Sequence, residues 1–393
     1  MKRLLFGLAA ALSLSTTPLL AQTQGVTETS VKLGSHTDLS GPLAIGGAPA
    51  TLASQIRFEQ TNAAGGVHGR QIELLVEDAQ YQVPLAVRAT NKLVQNDKVF
   101  AIFHAVGTQQ GLATIPIADK AGLPYIFPLT AAKSMADPLH PLHFSYFVTY
   151  ADQARGAIRY FHDKEKFKSL CMQTHSTEYG EENRAGMEDI AKELGIEVKL
   201  VGTHKPTDSE FAGAATAIKN AGCEFVYLGT TIKDTIALYA TLRKLGFTGT
   251  VASNMLPFLP MVPDAAGGAM EGLNVVTPMG TVDWTSGPPE RKAFYDEYMK
   301  RKNEEPSVYA LYGWLAADLT VKALENAGKD LTAESFAKGI EQIQGYQDPF
   351  GGPTISFGPE KHFGGDRLLL YTIKGGKWEL VQDNVEFHAA KGG

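Results

Sequence analysis

The sequence predicts an α/β protein built on two doubly wound parallel sheets. Short β-rich runs alternate with helical runs of about 10 to 15 residues, a spacing typical of βαβ units with parallel strands. The alternation stops and then restarts once along the chain. About 370 residues follow an N-terminal export segment, which is enough for two domains.

The first sheet is predicted from four strands and the helices between them. Gly65-Gly66 ends the first helix, since glycine accepts the positive φ of a helix terminus. Pro84 begins the second helix, because its fixed φ suits a first turn. The predicted strands cover 31–34, 71–76, 99–103 and 124–127, and the helices cover 51–63, 85–95 and 111–121.

The second sheet is predicted from strands over 169–173, 197–202, 224–228 and 250–253, with helices over 181–194, 209–221 and 233–245. The remaining pieces are expected to complete these two units rather than form a third domain. Among them, Gly375-Gly376 is typical of a hairpin turn. They are strands over 272–276, 354–357, 368–373 and 378–381, and helices over 290–303, 309–327 and 332–342.

The N-terminus has the order of a secretory signal. Lys2 and Arg3 precede an apolar run over 4–14, and Ala21 offers a small residue for cleavage. The run is too short to span a bilayer, and no cysteine follows Ala21 to carry a lipid. A buried N-terminal helix is the alternative. The sequence therefore predicts a soluble protein exported to the periplasm.

The composition is that of a globular protein, with 44% hydrophobic and 20% charged residues. The formal net charge is −6, and removal of Lys2 and Arg3 makes it more negative. Nucleic-acid binding requires clustered positive charge, so that class of function is excluded.

Cys171 and Cys223 are the two cysteines. Export makes a disulfide between them possible. However, Cys171 is predicted in mid-strand and Cys223 at a strand start, so their levels in the sheet should differ. Because a disulfide demands close Cα atoms, we expect two buried free thiols.

Several short motifs occur in a specific order. That order resembles the leucine/isoleucine/valine-binding protein family, the type I periplasmic receptors of branched-chain amino-acid-type ABC importers. The likeness covers nearly the whole chain after the export segment. The motifs occupy 38–43, 62–70, 77–78, 179–180, 208–211 and 225–229.

The resemblance implies two lobes joined by a three-segment hinge, with the ligand between them. It implies a monomer that closes on its ligand and presents it to an inner-membrane ABC permease, without a cofactor. Carried onto this chain, the hinge crossings fall near 147–150, 277–278 and 351–353. The implied division is a signal peptide over 1–21, lobe I over 22–147 and 278–352, and lobe II over 148–277 and 353–393.

In lobe I, the resemblance places the ligand carboxylate at the loop that ends the third strand. A helix begins there, and its free N–H groups favour an anion. Gly107 lets a ligand approach the backbone and Thr108 adds a hydroxyl. N-capping is the alternative role for Thr108 and Thr130. The predicted lobe I contacts are His104, Val106, Gly107, Thr108, Leu129, Thr130 and Ala131.

The first loop, Ser40-Gly41-Pro42, follows the carboxyl end of a strand, where ligands bind in open α/β sheets. It is expected either to touch the ligand or to shape the rim of the cleft.

In lobe II, the expected ligand contacts are His175, Tyr179, Thr231 and Met255. Tyr179 matches a family position that often lines the cleft. Amino-acid binders of the family carry an acid near Met255 to pair with the ligand's ammonium, and 251–257 contains none. The segment 43–47 also lacks the aromatic residue common there.

A buried ammonium without a countercharge is costly. The sequence therefore favours a carboxylate without an amine, such as a benzoate-type or keto acid. Glu178 or Asp234 are candidates for a substitute acid, so an amino-acid ligand remains an alternative.

An enzyme and a signalling receptor are the competing functions. The sequence has no Gly-x-Ser-x-Gly, Walker-type, Gly-x-Gly-x-x-Gly or His-Glu-x-x-His motif, and we therefore expect no catalysis. His36, His104 and His175 each follow a strand, and a metal site would require that they converge. A periplasmic receptor for a chemotaxis or signalling partner is the alternative to transport.

Overall fold

A computed structural model describes residues 23–387. The predicted signal peptide over 1–21 lies outside the described residues. Within them the predicted α/β architecture is confirmed, with two sheets of five and seven strands. No helix in this part of the chain has the length and apolarity needed to cross a bilayer.

Five parallel strands form the first sheet, in the order β2-β1-β3-β4-β5. β1 pairs with β2 along its whole length, and nearly all of its side chains are buried. The elements are β1 (Ser30–Thr37), α1 (Ala44–Ala63), β2 (Gln71–Asp78), α2 (Val83–Asn91), β3 (Ala101–Phe103), α3 (Thr108–Lys120), β4 (Tyr125–Ile126) and β5 (His143–Phe144).

The second sheet has the order β12-β11-β10-β9-β8-β6-β7. Its strands β6 to β10 are parallel, whereas β11 and β12 add as an antiparallel hairpin. The elements are α4 (Tyr150–Glu165), β6 (Ser169–His175), α5 (Glu178–Leu194), β7 (Glu197–His204), α6 (Ala212–Ala221), β8 (Phe225–Gly229), α7 (Ile232–Lys244), β9 (Thr250–Ser253), β10 (Leu273–Thr277), β11 (Leu369–Lys374) and β12 (Lys377–Gln382).

The hairpin makes this sheet mixed rather than purely parallel. Gly375 and Gly376 take positive φ values of 58° and 73°, as the two central residues of a tight hairpin turn require. A two-residue turn joins only antiparallel neighbours, because parallel strands need a crossover.

Three later helices return to the first sheet: α8 (Pro289–Lys302), α9 (Val308–Ala327) and α10 (Ala333–Glu341). α9 packs along α1, where the Ser54 hydroxyl donates a hydrogen bond to the Gly313 carbonyl at 2.8 Å. The chain thus passes between the sheets three times, before α4, before α8 and before β11.

The strand predicted over 354–357 is wrong. Only Ile355 pairs there, in an isolated bridge with Tyr346. Ile355 and Phe357 are both buried, and this alternation produced the strand-like pattern. The bridge does not extend toward Pro353, because proline has no N–H to donate to a neighbouring strand.

The prediction of free thiols is also wrong, because Cys171 and Cys223 form a disulfide with a Cα–Cα distance of 5.7 Å. Cys171 lies in β6, beside Val226 of β8. Cys223 lies before β8, in the turn that follows Gly222 at the end of α6. That turn brings Cys223 close to Cys171. The distance between the two cysteines is therefore set by the turn and not by the register of the strands.

We expect the paired substitution Cys171→Ser with Cys223→Ser to lower the free energy of unfolding by about 2–4 kcal/mol, since the bond closes a loop of 52 residues. Urea unfolding with and without reductant measures this loss. Reductant should destabilise the parent protein and leave the double variant unchanged. Two titratable thiols in the unreduced, denatured parent protein would contradict the assignment.

Candidate functional site

A cavity lies where the carboxyl ends of both sheets face each other. Its volume is about 30 Å³, so its walls lie close together in this structure. In open α/β sheets this edge is where ligands bind. The lining residues are Leu43, Gly46, Gly47, Tyr81, Val106, Gly107, Thr108, Leu129, Thr130, Tyr150, Tyr179, Met255, Leu256 and Tyr309.

The structure brings most of the sequence-predicted site residues together around this cavity. Those that line it come from the segments that follow β3, β4, β6 and β9, two strands of each sheet. They are Val106, Gly107, Thr108, Leu129, Thr130, Tyr179 and Met255. The remaining predicted residues, His104, Ala131, His175 and Thr231, lie outside its wall.

Two of these outlying residues lie behind the wall on the first sheet. The His104 ring lies 3.4 Å from the Tyr146 hydroxyl, measured from Nε2. Burial lowers the pKa of His104 to about 3, so the ring is neutral at pH 7 and offers no positive charge to an anion. Ala131 contributes its carbonyl, which accepts a hydrogen bond from the Tyr150 N–H at 2.9 Å.

The other two outlying residues, His175 and Thr231, bind Asp234. Their contacts to Asp234 Oδ2 measure 2.7 Å from His175 Nε2 and 2.6 Å from Thr231 Oγ1. Burial favours the neutral acid, but the hydrogen bonds, with that of His175 foremost, outweigh it and hold the pKa of Asp234 below its usual range.

The first turn of α3 forms one wall of the cavity. Gly107 precedes the helix with φ 97°, and no side chain caps it. The hydroxyls of Thr108 and Thr130 are hydrogen-bonded to each other at 2.7 Å. Neither threonine therefore caps α3, which leaves the first-turn N–H groups directed at the cavity edge, where the helix dipole favours an anion.

Four tyrosines give the cavity an aromatic wall. Tyr179 was expected, whereas Tyr81, Tyr150 and Tyr309 were missed. The Tyr150 and Tyr179 rings meet edge-on with centroids 4.8 Å apart. The Tyr309 hydroxyl donates to the Leu256 carbonyl at 3.1 Å, which joins α9 to the loop after β9.

No local motif could have found these tyrosines. Tyr150 begins α4, Tyr309 lies in the first turn of α9, and Tyr81 lies in the loop after β2. They reach the cavity through the packing of distant segments. Of the three, only Tyr81 could be predicted from the sequence, because it lies in the loop that follows a strand of a parallel sheet.

No Asp, Glu, Lys or Arg is among the lining residues in the part of the chain that the structure describes. Burial raises the pKa of Tyr150 to about 12 and raises the pKa of Tyr179, so both are neutral at pH 7. Neither candidate for a substitute acid lines the cavity: Glu178 is exposed at the start of α5, and Asp234 is bound as described above.

The first loop lies at the rim of the cavity. Asp38 holds it, accepting hydrogen bonds from the Gly41 and Leu43 N–H groups at 2.5 and 2.7 Å. Ser40 donates to Asp78 at 2.6 Å. Leu43 lines the cavity but Ser40 and Pro42 do not.

We expect Gly107→Ala to destabilise the protein more than Gly122→Ala, by at least about 1 kcal/mol. Both glycines have positive φ, 97° and 66°, and Gly107 also has ψ 143°, a combination essentially restricted to glycine, so backbone strain adds to the loss at Gly107. A Cβ at Gly107 would overlap Gln110 and lie 2.8 Å from Tyr81 Cε2, whereas nothing lies within 4 Å at Gly122. Urea unfolding of the two variants measures the difference, and equal losses would contradict the crowding at Gly107.

The sequence profile of the periplasmic binding protein family matches residues 30–377. The chain is 25% identical over 300 residues to the leucine-, isoleucine-, valine-, threonine-, and alanine-binding protein of Pseudomonas aeruginosa, covering 76% of this chain and 79% of that protein. It is 24% identical over 342 residues to Leu/Ile/Val-binding protein homolog 7 of Brucella abortus, with coverage of 82% and 84%.

Solved structures share the fold. A fatty acid ABC transporter substrate-binding protein from Thermomonospora curvata superposes with a TM-score of 0.82 at 23% identity, covering 93% of this chain and 94% of that one. A branched chain amino acid ABC transporter protein from Thermus thermophilus with bound valine also gives 0.82, at 21% identity and coverage of 91% and 97%.

Proposed function

Because the chain belongs to the periplasmic binding protein family, we propose that it is the solute-binding component of an ABC importer. It captures a small carboxylate that lacks an amine, holds it between two lobes, and delivers it unchanged to an inner-membrane permease. The segment over 1–21 directs the chain to the periplasm and is removed near Ala21.

The observation that carries this proposal is the combination of an uncapped helix N-terminus with a lining that has no charged side chain among the described residues. The N–H groups of α3 and the hydroxyls of Thr108 and Thr130 suit a carboxylate. Tyr179, Tyr150 and the apolar residues suit an aromatic or aliphatic body.

An amino acid is the second candidate, because curated relatives are named for leucine, isoleucine and valine. Its ammonium would lie among neutral side chains, with only tyrosine ring faces and carbonyls as partners. Burying a charge without a countercharge costs several kcal/mol, which favours the carboxylate without an amine.

We propose that lobe I comprises 22–147 and 278–352 and lobe II comprises 148–277 and 353–393, with the three crossings as the hinge. Glu182 of α5 joins them in the closed form. Its carboxylate accepts hydrogen bonds from the Lys133 N–H at 2.6 Å and from the Ser134 N–H and hydroxyl, both at 3.0 Å.

Matched pairs of solutes test the ligand class. We expect 4-methylpentanoate to stabilise the protein more than leucine, and 3-phenylpropanoate more than phenylalanine, since each pair differs only in the amine. A thousandfold excess over Kd adds about 4 kcal/mol to the free energy of unfolding, which thermal unfolding detects readily. Benzoate and 4-methyl-2-oxopentanoate extend the series. A greater shift with the amino acid of each pair would refute the proposed class.

We expect Thr108→Val to raise the Kd for the best carboxylate by about 10- to 100-fold, because it removes a hydroxyl that bonds a charged group. Isothermal titration calorimetry measures the Kd. Thr320→Val is the matched control, since Thr320 is also buried but bonds only the Ala316 carbonyl within α9. Equal effects of the two substitutions would remove Thr108 from the site.

We expect Glu182→Gln to weaken solute binding several-fold and to shift the solute-bound protein toward an open form, because Glu182 bonds lobe I only on closure. Small-angle X-ray scattering with saturating solute would show a larger radius of gyration. Glu181→Gln is the control, as Glu181 lies next along α5 and only approaches Arg184 at 4.0 Å. An unchanged affinity and radius for Glu182→Gln would exclude this closure contact.

A further inference from the structure

A second group of polar side chains lies at the carboxyl edge of the second sheet, beyond the cavity wall. His175 and His204 end the adjacent strands β6 and β7 and sit opposite each other in the strand register. Asp234 lies in the first turn of α7, which follows β8. Three consecutive βα units thus each supply one potential metal ligand to the same point.

The three side chains are almost fully removed from solvent. His175, His204 and Asp234 are 1%, 8% and 5% exposed. One nitrogen or oxygen atom from each lies within 4.8 Å of the other two. Asp234 Oδ2 lies 2.7 Å from His175 Nε2 and 3.4 Å from His204 Nε2.

His204 Nε2 is buried and makes no hydrogen bond within the described part of the chain. Its 3.4 Å approach to Asp234 lacks hydrogen-bond alignment. A buried polar atom without a partner has lost its hydrogen bonds to water and gained none in return, which destabilises the fold. The rings that surround it hold it in place: His175 and Phe211 both meet the His204 ring edge-on, with centroids 4.7 and 4.9 Å away.

We propose that His175 Nε2, His204 Nε2 and an oxygen of Asp234 bind a divalent transition-metal ion of the zinc class. Two imidazoles and one carboxylate form an established zinc ligand set, and imidazole nitrogen excludes magnesium and calcium as preferred ions. The ion satisfies the unpaired nitrogen of His204 and neutralises the buried carboxylate.

The distances suit such an ion with a small adjustment. Tetrahedral bonds of about 2.0–2.2 Å set the ligand atoms about 3.3–3.5 Å apart. The separation between His204 and Asp234 already has this value, at 3.4 Å. The separation between His175 and Asp234, at 2.7 Å, lengthens when a metal ion replaces the shared proton.

Gln173 contacts His204 on the side of the ring that is opposite the proposed ion. Its side-chain amide lies 3.0 Å from His204 Nδ1, the nitrogen that faces away from Asp234. Metal binding at Nε2 leaves the imidazole proton on Nδ1, and this N–H donates a hydrogen bond to the amide oxygen of Gln173 once the amide is flipped. Such an outer partner of a metal-bound histidine fixes the ring orientation.

The site differs from the three-histidine arrangement considered from sequence. His36 and His104 do not join His175: His36 Nε2 lies 3.0 Å from the Thr114 hydroxyl, and His104 faces Tyr146. The partner histidine is His204, which the predicted strand over 197–202 did not include.

Zinc titration of the mature protein after chelator dialysis tests the proposal without any solute, so its result is independent of the solute class. We expect one zinc ion per chain by calorimetry, a rise in thermal unfolding temperature, and tetrahedral cobalt absorption when cobalt replaces zinc. His204→Gln and Asp234→Asn should each raise the zinc Kd roughly 10-fold or more.

His140→Gln is the matched control, because Asp119, His140 and His143 form the other His-Asp group of this kind among the described residues. It should bind zinc like the parent protein. Circular dichroism confirms that each variant is folded before it is titrated. The proposal is overturned if the parent protein binds no stoichiometric zinc, if folded His204→Gln and Asp234→Asn bind it as tightly as the parent, or if only His140→Gln loses it.

Discussion

The parallel arrangement of the strands is the constraint on which the rest of the structure depends. Each parallel strand must be followed by a crossover, so every loop that leaves a carboxyl end emerges on the same edge of its sheet. In this chain the two such edges face one another. The cavity is therefore lined by segments that follow β1, β2, β3, β4, β6 and β9, together with residues of α4 and α9.

The described cavity lining has no charged group because the ionisable side chains around it either bind other groups or are neutral. Asp38 holds the backbone of the first loop, and Asp234 is bound to His175 and Thr231. Burial keeps His104 neutral. The proposed solute would consequently meet dipoles, hydroxyls and ring faces in this cavity. Such a site discriminates by the position of a helix terminus and by shape more than by ion pairing.

The predictable parts of the fold were those encoded over short stretches. Alternating strand and helix patterns placed β1 to β4 and β6 to β10 correctly, and Gly375-Gly376 marked the hairpin. Gly107, Thr108, Thr130 and Tyr179 were predicted from the family resemblance, and they line the cavity. Tyr150 and Tyr309 were not predicted, since each lies in the first turn of a helix whose position depends on packing elsewhere. The disulfide was missed because the turn before Cys223, rather than strand register, sets its distance to Cys171.

The packing of α9 against α1 has a consequence for the order in which the chain acquires structure. Ser54 and Gly313 meet in this contact although 259 residues separate them. A ribosome that has produced the first sheet has not yet produced the helix that covers α1, so the first sheet keeps an apolar face until late in synthesis. Contacts of such long sequence separation slow folding. This delay suits the export proposed for the chain, because a chain that has not yet folded is the form that a translocation channel can thread.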